Sequence, residues 1–304
     1  MNLSDTQKNI LKKLIENGKV RISELAAQEK ITVATIHNYK TILEGIKIVY
    51  ERGYISLHSK AEGFPFLAEK LNRNRALREF AAAYALKHFG PAPDDFVFFD
   101  GGTTQYLLFK RLLDTKPVGL SMITNNPLII NEAFADHSIT DGNRVFVVGG
   151  KLDCLRASFY GSHTASSLNV KELRHIQIDI CYLGVVGILT DGKLVIGNDE
   201  ELPQKRLLIE KSKRIVVIID GSKINKRSWT HVGDIGSIKR SGKEIYIVIS
   251  INESDNATHL PTITHLRNSF GEESIIVLYV PSEQICSVEA KNGQTLDSRF
   301  NRAN

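Results

Sequence analysis

The chain has 304 residues, a length that suggests two domains or one large and one small. Hydrophobic residues make up 42% and charged residues 24%, which excludes a mostly disordered chain, and no apolar run reaches the ~18–20 residues needed to cross a bilayer. The net charge of +5 is unevenly placed: residues 1–78 hold 14 Lys and Arg against 8 Asp and Glu, and the rest hold 25 against 26. A small basic region ahead of a near-neutral larger one is the charge layout of a nucleic-acid binder with a separate sensor or enzyme domain.

The first residues, Met1-Asn-Leu-Ser-Asp5, lack a basic stretch followed by an apolar one, so no secretory signal is expected. Ile10, Leu11, Leu14 and Ile15 recur at helical spacing, with Ser4 or Asp5 as cap and Gly18 as stop. Val20-Arg-Ile22 reads as a short extended piece. Ser23 then caps a second helix, Glu24 to Lys30, and Ile31-Thr32 makes a turn. A third helix is expected from Val33 through Leu43, with Val33, Ile36 and Leu43 inward. Ile46–Tyr50 and Tyr54–Leu57 read as a hairpin turning at Gly53.

Three short helices and a hairpin make a winged helix-turn-helix, whose third helix would lie in the major groove while the wing touches phosphate. The residues expected to face double-stranded DNA are Ser23, Thr32, Ala34, Thr35, His37, Asn38, Lys40 and, in the wing, Arg52. Ser23-Glu-Leu-Ala26 and Thr35-Ile36 resemble the DeoR-type helix-turn-helix in their spacing. Members of that family usually carry Arg-Arg-Asp after the Thr-Ile pair, and this chain has His37-Asn38-Tyr39. Asn favours adenine N6/N7, so the half-site read would differ. Losing two phosphate contacts would lower the salt dependence by roughly two units of slope.

Lys60–Phe66 reads as a linker, broken by Gly63 and Pro65. Leu67 to His88 has helical periodicity and a basic face (Lys70, Arg73, Arg75, Arg78) that would either extend the DNA-facing charge or lie solvated. From about residue 94, β-branched and aromatic runs alternate with helical stretches. The runs are 96–99, 120–123, 145–148, 180–183, 215–219, 245–249 and 275–280. They are apolar on both faces, as strands of a mostly parallel sheet flanked by helices would be. The expected class is therefore α/β, with the winged helix joined to this larger domain. The division is 1–60 for DNA binding, 61–93 as connector, 94–280 for effector binding and 281–304 as a tail or partner-facing arm.

Small, hydroxyl and amide residues follow the strands: Asp100-Gly101-Gly102-Thr103-Thr104, Thr124-Asn125-Asn126, Gly149-Gly150, Gly184-Val-Val-Gly187 and Asp220-Gly-Ser-Lys223. Ligands of open α/β sheets bind outside the carboxyl ends of the strands, where a helix N-terminus adds about half a positive charge. Thr103 or Thr104 would cap a helix starting near Gln105 and donate to a phosphate oxygen. Asn125 and Asn126 suit hydroxyls, and Lys223 is a point charge for phosphate.

Taken in order, these pieces with Asp179 and Glu201-Leu-Pro-Gln-Lys205 resemble the C-terminal domain of DeoR-family regulators, a sugar-phosphate sensor related in fold to ribose-5-phosphate isomerase. The resemblance implies a crevice lined or supported by Asp100, Gly101, Gly102, Thr103, Thr104, Thr124, Asn125, Asn126, Gly149, Gly150, Asp179, Gly187, Glu201, Lys205, Asp220 and Lys223, and a phosphorylated sugar effector. Pro203 fits only the first turn of a helix, and Ser250 stands where the family often has an acid.

The leading reading is a cytoplasmic DNA-binding repressor, a homodimer or homotetramer, with operator affinity set by the effector. A second reading is a phosphosugar isomerase using Asp199, Glu200 or Glu201. A third is a scaffold with a degenerate winged helix. No His-x₃-His or His-Glu-x₂-His grouping occurs, so neither metal nor cofactor is expected, and no catalytic residue is assigned. The three cysteines, Cys154, Cys181 and Cys286, argue against a disulfide framework and for a reducing compartment. Cys154 and Cys181 are expected to be buried, and Trp229 to be core or interface.

Overall fold

The computed structural model describes residues 19–38, 41–43, 46–51, 54–59, 70–135, 142–170, 172–228 and 230–285, with single positions 6, 9, 10, 13, 14 and 67. Lys40, Arg52, Gly53, the 60–66 linker, Trp229, Cys286 and the tail from 286 lie outside them, as do the side chains of His37 and Asn38.

In the N-terminal region, β1 (Lys19–Arg21) precedes α1 (Ile22–Glu29) and α2 (Val33–Asn38); β2 (Thr41–Leu43), β3 (Ile46–Glu51) and β4 (Tyr54–Ser59) follow. Ile10, Leu14, Ile22, Leu25, Ala26 and Ile36 form a small core. β3 and β4 are the expected hairpin, and β1 extends it to give the order β1-β4-β3-β2.

Three local expectations are corrected. Ser23 is the exposed second residue of α1, whose cap is Arg21 with no side-chain bond. α2 ends at Asn38, because Thr41 and Ile42 are β-branched and Thr41–Leu43 pairs with β3. Val33 is 43% exposed, because Ile36 takes the inward position. Thr32 caps α2, its Oγ1 accepting from the Thr35 amide at 3.1 Å.

The larger region is built on a seven-stranded parallel sheet of order β16-β15-β13-β10-β5-β6-β7. Its strands are β5 (Phe96–Phe99), β6 (Ser121–Thr124), β7 (Arg144–Val147), β10 (Ile178–Leu183), β13 (Ser212–Asp220), β15 (Glu244–Asn252) and β16 (Ile275–Val280). Each contains most of one of the apolar runs. Side-chain alternation divides every strand between two cores. Val97, Phe99, Ile180, Tyr182, Val216 and Ile218 pack under α3 (Arg75–Phe89), α4 (Thr103–Leu113) and α5 (Pro127–Ala135). Phe98, Cys181, Leu183, Ile215, Val217 and Ile219 pack under α7 (Leu202–Lys211), α8 (Ile235–Arg240) and α9 (Asn256–Phe270). Pro203 sits in the first turn of α7, where the missing N–H is harmless.

Smaller elements stand at the carboxyl edge. β8 (Lys151–Asp153) and β9 (Ser158–Tyr160) form a hairpin, followed by α6 (Ser162–Ser167). β11 (Gly187–Ile188), β12 (Lys193–Ile196) and β14 (Thr230–Asp234) form a three-stranded antiparallel sheet. No helix among the described residues is long and apolar enough to cross a membrane.

The helix expected from 67 to 88 breaks before α3, at Asn74, whose φ of +48° Asn tolerates better than most residues. Cys181 is buried as expected, but Cys154 is exposed, because it lies in the turn beyond β8.

Phe99 is fully buried between the edge of Phe109 and the face of Tyr182, both at 5.3 Å between ring centroids. Phe99→Ala is expected to lower stability by about 3–5 kcal/mol. Urea denaturation should show a lower midpoint with an unchanged slope.

Candidate effector-binding crevice

Chain order runs outward from β5 in both directions, to β6 and β7 on one side and to β10, β13, β15 and β16 on the other. The β5–β10 boundary is therefore a topological switch point, where the loops after the two strands diverge and leave a crevice. A cavity of about 140 Å³ lies there.

Its floor is organised by Asp100, which is wholly buried. One carboxylate oxygen accepts from the Gly101 amide at 2.8 Å and from Asn125 Nδ2 at 3.2 Å. The other accepts from the Gly184 amide at 2.9 Å and from Lys205 Nζ at 2.5 Å. Lys205 also donates to the Gly184 carbonyl at 2.8 Å and faces Glu201 at 3.6 Å. Burial disfavours its charge, but the Asp100 and Glu201 carboxylates outweigh that and raise its pKa. Gly101 must lack a side chain, since a Cβ there would overlap Ser158. Gly102 caps α4 at φ +120°, so the helix begins at Thr103 and not near Gln105. Thr103, Thr104 and Gln105 of the first turn of α4, whose amides have no intrahelical acceptor, line the cavity.

The walls are cationic. Lys70, Arg73, Arg78, Arg156, Lys205, Lys223 and Lys226 line the crevice, against Glu201 and Asp220. Arg78 is 3% exposed, and burial lowers its pKa to about 10. Burial, reinforced by the Arg156 charge, lowers Lys70 to about 7. Burial likewise lowers Lys223 to about 8, against the pull of Asp220. Burial would raise the Asp220 carboxyl; Lys223, hydrogen bonds from Ser222 and Asn74, and the Arg78 charge outweigh it and hold it below the usual carboxylate range.

Of the residues expected from sequence, Gly101, Gly102, Thr103, Thr104, Glu201, Lys205, Asp220 and Lys223 line the crevice. Asp100 lies beneath it. Thr124, Asn125 and Asn126 stand behind the loop as scaffolding and do not line it. Thr124 Oγ1 donates to Phe99 O at 2.8 Å, Asn125 Nδ2 to Phe159 O at 2.9 Å, and Asn126 Nδ2 to Gly102 O at 2.8 Å. Gly149 and Gly150 also lie outside the lining; Gly150 is packed against Thr164 and Tyr160. Gly187 passes closely under the Lys223 and Lys226 backbone.

Asp179 is a correction. It lies at the start of β10, the opposite edge of the sheet, accepting from Phe96 N at 2.9 Å and pairing with Lys213 at 2.6 Å. Ser250 is buried on β15, donating to Ile219 O at 3.4 Å. The basic face of 70–78 is corrected as well: Lys70, Arg73 and Arg78 line the crevice and are neither DNA-facing nor simply solvated. Sequence reasoning missed Arg156, Ser158, Val185 and Lys226 as lining residues. The density of Lys and Arg after the linker was a usable signal; Arg156 carried none.

A family model described as the DeoR C-terminal sensor domain matches residues 73–241. The chain belongs to the DeoR family. Three relatives illustrate its company. The glycerol-3-phosphate regulon repressor of Escherichia coli K12 is 23% identical, over 78% of this chain and 89% of that protein. Transcriptional repressor AccR of Agrobacterium fabrum is 26% identical, over 82% and 93%. The deoxyribose operon repressor of Escherichia coli K12 is 24% identical, over 74% and 84%. Among solved structures, ribose 5-phosphate isomerase from Plasmodium falciparum is 18% identical with a TM-score of 0.34, over 49% of this chain and 52% of that one, so the chain spans about half its length. In this DeoR-family chain the matched region contains the whole crevice except Lys70.

Asp100→Asn leaves buried Lys205 with only Glu201, 3.6 Å away, as counter-charge, and is expected to lower stability by about 3 kcal/mol. Adding Lys205→Met should recover part of the loss, and a denaturation double-mutant cycle should give a coupling above about 1 kcal/mol.

The lysines set a pH dependence. Their folded pKa values lie below the unfolded value, so they penalise folding fully below about pH 7, and the penalty fades as pH rises toward the unfolded lysine range. A bound anion favours the charged forms. Thermal denaturation between pH 6 and pH 9 should show stabilisation by sulfate that is greatest at the acid end and shrinks as Lys70 and Lys223 lose their protons.

Proposed function

We propose that this DeoR-family protein is a repressor whose hold on operator DNA is set by a phosphorylated sugar or related metabolite bound in the crevice. The observation that carries this reading is the pairing of cationic walls with the N-terminus of α4, a combination suited to a phosphate dianion. Thr103 and the α4 amides would hold the phosphate, with Lys70, Arg78 and Lys223 around it. Glu201 and Asp220 would accept from hydroxyls. The names of the relatives, repressors of glycerol-3-phosphate and deoxyribose genes, support the same class of effector.

For DNA, Ala34, Thr35, His37 and Asn38 on α2, together with Ser23, Thr32, Lys40 and Arg52, would provide the contacts. Ser23, Thr32 and Ala34 are exposed, which suits that role. The division would be 1–60 for the DNA-binding head, 61–93 as connector, with its α3 packed on the sheet of the sensor, 94–280 for the rest of the sensor and 281–304 as a tail. The protein would act in the cytoplasm as a homodimer or homotetramer, matching a symmetric operator.

A regulator, not an isomerase, is the reading the carboxylates favour. Glu201 is engaged in ion pairs with Arg156 at 3.7 Å and Lys205 at 3.6 Å, and the lowered pKa of Asp220 makes it a weak base.

The test uses a labelled duplex from the region upstream of the protein's own gene. Binding should be sequence-selective and weaken with salt. One phosphorylated sugar should change affinity about 5–150-fold, and its unphosphorylated counterpart should not. Absence of binding at low salt would favour the scaffold. Steady deuterium incorporation into pentose or hexose phosphates in heavy water would favour an isomerase.

A further inference from the structure

The residues that leave the linker turn straight into the crevice wall. Lys70, Arg73, Asn74 and Arg78 all line it. Two of them are tied to the far wall: Lys70 Nζ donates to Leu155 O at 3.0 Å, and Asn74 Nδ2 donates to Asp220 at 2.8 Å. Arg78 holds the segment from below. Its Nη2 donates to the carbonyls of Lys70 and Leu71 at 2.8 Å and of Arg73 at 2.7 Å, and its Nη1 donates to Thr103 Oγ1 at 2.7 Å. One guanidinium therefore joins the end of the connector to the first residue of α4.

The group is also unfinished. Arg78 is 3% exposed, yet its Nε has no hydrogen-bond partner. A buried donor on a cation is costly to leave unmade, and the cavity beside it is lined with further cations and the α4 amides. An anion is the acceptor that this arrangement lacks.

We propose that Arg78 is the residue through which occupancy of the crevice is passed to the DNA-binding head: an anion at the start of α4 completes the Arg78 guanidinium and fastens the 70–74 segment to the sensor. This rests on the reading of the crevice as an anion-binding effector site and adds how that site is read out. A bound anion would hold the 70–74 segment more tightly than the protein's own hydrogen bonds do, restricting the chain that leads to the head. Arginine is required for this, since a lysine ammonium at the same place keeps the charge but cannot reach the three carbonyls and Thr103 together.

The experiment compares the full-length protein with Arg78→Lys and Lys223→Met, using inorganic phosphate as the probe. Calorimetry measures phosphate binding, and hydrogen exchange read by mass spectrometry follows peptides covering 70–78 and 101–106. In the unmodified protein, saturating phosphate should slow exchange over both segments, by about an order of magnitude in 70–78. Lys223→Met should bind more weakly but show the same slowing once saturated. Arg78→Lys should still bind and slow 101–106, while 70–78 no longer responds.

Phosphate binding with unchanged or faster exchange at 70–78 in the unmodified protein would overturn the proposal and leave the effector site standing. So would a full 70–78 response in Arg78→Lys. No phosphate binding by the unmodified protein would overturn both. The unmodified protein alone decides the matter should Arg78→Lys fail to fold.

Discussion

A carboxylate with no contact with water organises the large domain. Asp100 ends β5, and its four hydrogen bonds reach its own loop, the loop after β6, the loop after β10 and the lysine of α7. Charge burial of this kind is unfavourable unless every lone pair is used. Here they are, and the result is geometric: the turns on both sides of the switch point are held at fixed separation. The Gly101–Ser158 approach and the Gly184 approach to the Gly101 carbonyl at 2.5 Å from a would-be Cβ are close enough to require glycine only because Asp100 draws these loops together.

With the floor fixed in this way, the walls carry an electrostatic imbalance. Lys205 is neutralised by Asp100 and Glu201, and Arg156 by Asp153 at 2.9 Å and Glu201. Asp220 is shared between Asn74, Ser222 and the charge of Lys223. Lys70 and Lys223 donate to the carbonyls of Leu155 and Val185, which orient them without neutralising them. Their depressed pKa values express the same fact as the depressed value of Arg78: more positive charge has been removed from water than the crevice balances. A dianion entering there would relieve repulsion among groups already in place, so its binding would need little rearrangement of the sheet.

The strands were legible because a doubly covered parallel sheet demands apolar residues on both faces, and few other structures do. Ile215–Ile219 and Ile245–Ile249 could hardly be read otherwise. Turn chemistry was legible for the same kind of reason: Gly101-Gly-Thr-Thr104 has the small and hydroxyl residues of a loop open to a ligand, and it lines the crevice. Asn125 and Asn126 show the limit. Amides after a strand suit ligands and backbone carbonyls equally, and here the backbone takes them. Asp179 failed differently: it precedes the apolar run 180–183 and so belongs to the amino end of its strand, and only the family resemblance had put it in the crevice.

The sequence by itself determined the α/β class, the basic winged helix ahead of it, the resemblance to the family and eight of the residues that line the crevice. Those properties follow from local patterns: hydrophobic period, turn residues and charge density. Only the tertiary structure decided that Lys70, Arg73 and Arg78, which read as an outer helix face, turn inward, and that Arg156 joins them from the β8–β9 hairpin. The reason is that a left-handed residue at Asn74 redirects the chain and that Arg156 meets Glu201 across 45 positions of sequence. No periodicity spans such distances; only the packing of the sheet brings these cations to one place.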